Sequence, residues 1–406
     1  MERSSTRLWR RRELLATMGG MLLGWGIGGL SGCFPRTFPS SSRESPVFAP
    51  GSREGHPLRI GYLPITDASP LLVAEALGFY RDEGLGSAEL HLFRSWAQLM
   101  EAFQAYQVDV IHLLMPAAIW LRYSRRFPAR VVAWNHVNGS ALTVRPEIQR
   151  LKDLGGQTVA VPFWYSIHNV ILQMLLRKAG LRPVLGGEGE VGAEEVRLVV
   201  LPPPEMPPAL ASGRIAGFIV AEPFNALAEV QQVGRILRFT GDVWKEHACC
   251  VVVMHETDLE QAPLWAQGVV RAVVRAQVWM RRNRQEAARL LSRSGRAYLP
   301  HSPEVLERVF AAHLSGYESV LQHPEWSPLR IDFQPYPYPS YTEALVSALK
   351  ETEVEGETRF LGTLEPAEVA RDLVLEEWVR QAIEEVGGPE IFGQPATWSR
   401  QEHIEP

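Results

Sequence analysis

The chain has 406 residues, 46% of them hydrophobic and 21% charged, a composition that supports a large buried core in about two ordinary domains. Its formal net charge of -5 lacks the basic excess that grips a phosphate backbone, which excludes nucleic-acid binding as the main function. Three cysteines are too few for a disulfide framework.

The first segment reads as an address. Arg7, Arg10, Arg11 and Arg12 precede an apolar, glycine-broken run, LLATMGGMLLGWGIGGL, that ends at Leu30. Its length suits the core of a signal peptide, and its glycines make it a poor permanent span. RRELL resembles the twin-arginine export signal, the general secretory route being the alternative. Leu30, Ser31, Gly32 and Cys33 resemble the lipobox of bacterial lipoproteins, in which the chain is cut before the cysteine and the thiol carries lipid. Residues 1–32 are therefore expected to be a signal peptide, and Cys33 a lipidation site. Removing them takes away five arginines (3, 7, 10, 11 and 12) and two glutamates (2 and 13), which moves the net charge to -8. Residues 33–57 are rich in Pro, Ser and Gly and read as a flexible tether to the membrane.

After the tether, LRIGYLP has the alternation of a first strand, ASPLLVAEALGFYRDEGL of a helix, AELHLFRS of a second strand, WAQLMEAFQAYQ of a second helix and VDVIHLL of a third strand. The pattern restarts near residue 155 with GGQTVAVP, SIHNVILQMLLRKAGL, VRLVVLPP, EMPPALASGR and IAGFIVAEP. Strand and helix in regular succession predict parallel-type α/β sheets, with a ligand site beyond the carboxyl ends of the strands. From residue 260 the texture turns helical, through APLWAQGVVRAVVRAQVWMRRNRQEAARLLS, PEVLERVFAAHLSGYESVL, YTEALVSALKET and EPAEVARDLVLEEWVRQAIEEVG. The arginines of the first of these fall largely opposite Val270, Val273 and Val274, the pattern of a solvated face.

IGYLPITDASPLLVAEALGFYRDEGL, RSWAQLMEAF, NGSALTV, PFWYSIHNVILQM, LPPPEMPPALASGRIAGFIVAEPFNA and GDVWKEH, in that order, resemble the solute-binding proteins of ABC importers for nitrate, bicarbonate, sulfonates and thiamine-precursor pyrimidines. The resemblance spans about residues 58–300 and is closest to the nitrate and bicarbonate receptors. It implies an α/β, bilobal periplasmic-binding-protein fold of type II, with two mixed sheets, flanking helices and a helical C-terminal extension. Residues 58–143 with 245–406 would form one lobe and 144–244 the other. The implied protein is exported to the periplasmic side of the membrane, monomeric, free of cofactors, and partnered by a permease and an ATPase.

The resemblance also nominates a site. Ser166 is a suitable N-cap for a helix whose start favours a polar or anionic group, with His168 in its first turn. Trp164 and Tyr165 precede it and would line the cleft. Trp96 matches a pocket tryptophan, Thr66 and Asp67 lie in the loop after the first strand, and Glu222 follows another strand end. Where the nitrate and bicarbonate receptors carry a glutamine and a lysine, this chain has Ser140 and Cys250. A lysine offsets the desolvation of a buried anion and a cysteine does not, so the expected solute is polar or heteroaromatic and stacks on the aromatic run.

His247, Cys249 and Cys250 form a weak metal-like cluster. A pyrimidine-synthesising enzyme of the same superfamily uses iron and a cysteine-rich segment, so an enzyme is one alternative and a sensory binding module another. No GxSxG, HExxH or P-loop is present, and the expectation is a binding protein with neither catalytic residues nor a metal.

Overall fold

The computed structural model describes residues 56–406, apart from 188, 312–313 and 327–328. The signal segment, Cys33 and nearly all of the tether lie outside the described residues. Among the described residues, no helix is long and apolar enough to cross a membrane.

The first lobe begins with β1 (Arg59–Tyr62), β2 (Glu89–Leu92), β3 (Val110–Leu114) and β4 (Ala129–Trp134). The chain then crosses through a two-residue strand, β5 (Val137–Asn138), into β6 (Ser140–Val144). The second sheet continues with β7 (Thr158–Val161), β8 (Arg182–Leu185), β9 (Glu195–Val200), β10 (Gly217–Ala221) and β11 (Arg235–Phe239). A second crossing returns the chain as β12 (Cys250–His255), and β13 (Ile331–Asp332) later pairs with β5. The sheet orders are β2-β1-β3-β12-β4 and β11-β6-β10-β7-β9-β8.

Both sheets are mixed. β1 runs parallel to β2 and β3, but β12 enters antiparallel between β3 and β4. In the second sheet β7, β8, β9 and β10 are parallel, and β6 is antiparallel to β10 and β11. The strand-helix rhythm of the sequence shows the parallel units. It does not show the strands that enter from a crossing, because these arrive without a preceding helix of their own lobe. β6 belongs wholly to the second sheet, so the crossing falls a few residues before the division expected after residue 143.

Two expected elements differ in extent. The helix expected over 68–85 is two helices, Ser69–Ala76 and Phe79–Asp82, because Gly78 adopts φ 80°, a conformation that glycine takes at little cost. The helix expected over 303–321 stops at Val309. Beyond it, Leu314, Tyr317, Val320 and Leu321 pack on Ala141, Ile236 and Phe239 of the second sheet, so their spacing serves a docked loop.

The long helix Pro263–Arg282 packs on Ser69–Ala76. Its arginines are not merely solvated. Arg271 and Arg275 reach Glu83 at 2.7 and 3.3 Å, and Arg275 also reaches Asp82 at 2.7 Å. The C-terminal extension touches the second lobe too. Asn169 and Gln173 donate to the Glu353 carbonyl at 3.2 and 2.7 Å, and the Glu353 N–H donates back to Gln173.

The two crossings are bonded to one another. The Asn138 N–H donates to the His247 carbonyl at 2.9 Å, and Val137 forms a bridge with Ala248. Gly241, in the return crossing, lies so close to Asn138 that any Cβ there would collide with its carboxamide. The place where the lobes join is thus a tight seam, and the candidate site lies on it.

Candidate functional site

The site draws on four stretches of chain. β1 ends in the loop that carries Thr66 and Asp67, and its Leu63 N–H donates to His112 Nε2 on β3 at 2.9 Å. The outward crossing supplies His136, and β6 begins with Ser140. The helix Ile167–Lys178 supplies His168, and the return crossing supplies His247, Cys249 and Cys250. Asp67, His112, His136, His168, His247, Cys249 and Cys250 are all fully buried.

Ser166 does what its position predicts. Its backbone is extended (φ -134°, ψ 148°), and its hydroxyl accepts the Asn169 N–H at 3.1 Å, capping the helix. That cap sets His168 in the first turn. Its Nε2 lies 2.9 Å from Ser140 Oγ and 3.7 Å from Cys249 Sγ. A polar relay continues behind it. The Thr240 hydroxyl donates to the Ser140 carbonyl at 3.0 Å, so its one proton is spent and His247 Nε2, 2.8 Å away, must donate to it. Burial holds the His247 pKa down at about 4, only partly opposed by Cys249, which keeps this ring neutral.

On the first-lobe side, Asp67 Oδ2 lies 2.9 Å from His136 Nε2. Burial pushes the Asp67 carboxyl up to about 6 against the opposing pull of His136. Burial works against protonated His136 as well, but the Asp67 carboxylate outweighs it and raises the ring to about 10. The two thiols are driven apart. Burial opposes ionisation of both, yet the Cys250 thiol, His168 and His136 bring Cys249 well below the ordinary thiol range, while burial and Cys249 push Cys250 well above it. One thiolate beside two imidazoles is the arrangement favoured here. Trp96, at the start of helix Trp96–Gln104, is 2% exposed, and its ring lies 5.3 Å from that of His112.

The structure brings together Asp67, Ser140, His168, Cys249 and Cys250, with His247 behind them. The other nominated residues have different contacts. Thr66 donates its N–H and its hydroxyl to the Glu222 carbonyl, at 2.9 and 3.1 Å, a tie between the lobes. The Glu222 carboxylate receives Arg330 Nε at 2.6 Å and the Ala226 N–H at 3.0 Å. The Tyr165 hydroxyl donates to the Glu357 carbonyl at 2.6 Å, its ring stacked against Trp120 at 5.9 Å. Trp164 is half-buried against the core. Tyr165 and Glu222 thus hold the C-terminal extension with their polar atoms.

Sequence reasoning missed His136, His112 and Thr240. The signal for His136 was present: Asn135 and His136 interrupt the apolar run of β4 just before a crossing, where two polar side chains need a buried purpose.

The matches to known proteins agree with this architecture. The chain is 25% identical over 257 residues to the nitrate/nitrite binding protein NrtA of Nostoc sp., covering 58% of this chain and 56% of that protein. It is 28% identical over 240 residues to the nitrate import ATP-binding protein NrtC of Synechocystis sp., covering 56% of this chain and 36% of that one. The chain thus spans about half or less of the length of these two relatives. The crystal structure of the periplasmic nitrate-binding protein NrtA from Synechocystis superposes with a TM-score of 0.70 at 19% identity, over 86% of this chain and 93% of that chain. The fold is that of the periplasmic binding proteins. The sequence pattern of the NMT1-like family matches residues 51–292, more than half of the chain, and the protein belongs to that family.

Proposed function

We propose that this protein is the solute-binding component of an ABC importer, catching a small polar or heteroaromatic solute between its lobes and catalysing nothing. The observation that carries this reading is that Cys249, in the return crossing, has Asp67 of a first-lobe loop within 4.8 Å and His168 of the second lobe, bonded to Ser140, at 3.7 Å, all of them buried. Contacts from both sides of a hinge stabilise the closed form over the open one, and only that difference in affinity shifts the two populations. The relatives named for nitrate binding and nitrate import support the transport role. They do not carry nitrate over to this chain. Ser140 and Cys250 stand where the resemblance expects glutamine and lysine, so the lysine's charge is missing from that position. Trp96, with its indole N–H free of a protein partner, and His168, with Nδ1 likewise, suit a flat solute carrying acceptors and donors.

In the same reading the protein is exported, acylated at Cys33 and held at the periplasmic face of the membrane as a monomer, handing its solute to a permease driven by an ATPase. Thermal-shift screening of the purified full-length chain tests the solute class. A ligand at one hundred times its Kd adds about 2.7 kcal/mol of stability, a clear rise in Tm. The expected hits are neutral or cationic heteroaromatic compounds, and a rise with nitrate or bicarbonate alone rejects the reading. Mass spectrometry of the N-terminal peptide tests the anchor, an unacylated or uncut Cys33 being the contrary result.

A further inference from the structure

We infer that Asp67, His136, Cys249 and Cys250 form a binding site for one thiophilic divalent cation, zinc foremost. This site shares Asp67 with the solute reading but rests on a different observation. One ligand atom from each residue lies within 4.8 Å of all the others, and all four residues are fully buried. A tetrahedral zinc ion holds sulfur at about 2.3 Å and nitrogen or oxygen at about 2.0 to 2.2 Å, so these atoms contract by about 1 Å or less to reach it. The set of two sulfurs, one imidazole and one carboxylate is a zinc-type set. Magnesium and calcium require oxygen ligands throughout.

The second observation is the state of the carboxylate. Both oxygens of Asp67 are sealed from solvent, and the donors that face them, His136 Nε2 and the Cys250 thiol, are themselves members of the set; an ionised group in that position calls for a cation or a set of donors. His136 alone does not resolve it. Its Nε2 lies 2.9 Å from Asp67 Oδ2 and also 3.3 Å from the Cys250 N–H. A proton on Nε2 suits the carboxylate and opposes the amide, whereas a bare Nε2 turns its lone pair on the carboxylate. A cation bound between Nε2 and Oδ2 removes the repulsion between their lone pairs. His168 completes the surroundings, since its Nε2 at 3.7 Å from Cys249 Sγ can give an N–H to a metal-bound sulfur. His247 does not belong to the set, because its Nε2 is committed to Thr240.

Adjacent cysteines act together here because the chain is irregular before β12. Cys249 lies just outside the strand, its carbonyl accepting the Met115 N–H at 3.0 Å, and Cys250 is the first strand residue. The alternation that sends neighbouring side chains to opposite faces therefore does not yet apply between them.

The test uses the full-length chain carrying Cys33→Ser, in which Cys249 and Cys250 are the remaining thiols. Elemental analysis of protein purified without chelators should find one zinc per chain. Replacement by cobalt should give a sulfur-to-cobalt charge-transfer band in the near ultraviolet and the strong visible bands of a tetrahedral ion. Cys250→Ser and Asp67→Asn should each weaken zinc binding at least tenfold in competition with a chromophoric chelator, and His91→Gln, at a half-buried histidine of β2 outside the set, should not change it. Folded protein with less than a tenth of a metal per chain and no charge-transfer band overturns the site. Unchanged affinity in both ligand variants overturns the ligand set. Should those variants not fold, the cobalt spectrum of the parent chain decides, since no other thiols are present. Titrating solute into metal-loaded and metal-free protein separates the two readings: solute binding without metal binding removes this site alone, and metal binding without solute binding removes the importer reading alone.

Discussion

Arg330 is the clearest case of a single residue on which much depends. It is 2% exposed, and its guanidinium reaches Glu222 at 2.6 Å, Glu229 at 3.0 Å and the Tyr317 hydroxyl at 2.9 Å. Burial alone pushes the Glu222 carboxyl up, and Arg330 is the main pull in the other direction. Arg330→Ala leaves that carboxylate buried without a counter-charge, which costs about 3 to 5 kcal/mol, measurable as a fall in the urea midpoint. Ser166→Ala, by contrast, removes one N-cap and should cost about 1 kcal/mol. His301 sets a pH dependence. Burial lowers its pKa from 6.5 to about 4, so the unfolded chain binds the proton more readily than the folded one. Stability from this residue is complete above pH 6.5 and is lost as the pH falls from 6.5 through 4, by at most roughly 3 kcal/mol. His301→Gln should flatten the slope of Tm against pH in that window, and an unchanged slope contradicts the assignment. Such residues are hard to read in a sequence. Ser166 was legible because an N-cap is a local matter, whereas Arg330 and Glu222 lie 108 positions apart and nothing local marks them as partners.

The elements that matter most are the ones that cross. Gly241 allows the return crossing to lie against Asn138. Gly241→Ala forces the two apart and should cost about 1 to 3 kcal/mol, with faster hydrogen exchange at Asn138 and Gly139. Wild-type exchange at those amides would show that the seam has slack. Another element is the stretch around residues 351–358, held by Asn169, Gln173 and Arg177 of helix Ile167–Lys178 and by Tyr165 just before it. Removing one of these bonds with Tyr165→Phe should cost about 1 kcal/mol and raise exchange in that stretch before it does so elsewhere. Long periodic runs such as VVRAVVRAQVWM made the helices of the extension legible. The run from 303 to 321 misled because apolar spacing reports which side is buried, and a loop docked on Phe239 has a buried side as a helix does.

Across the whole molecule, two mixed sheets joined by paired crossings place a cluster of buried polar side chains at the seam where they join. The bilobal plan was legible because strand-helix units begin twice, near residues 58 and 155. The site was legible in half: Ser140, His168 and Cys250 came from order of motifs, while the partnership of Asp67 with His136 needed the fold, since 69 positions separate them. In the proposed function, the closed seam means that a solute enters only when the lobes part. Isothermal titration of the full-length chain with the strongest thermal-shift ligand tests this most directly. The account predicts a one-to-one isotherm for a polar or heteroaromatic solute, weakened at least tenfold in a folded His168→Ala variant. Binding that His168→Ala leaves untouched, or heat released with nitrate or bicarbonate alone, contradicts it.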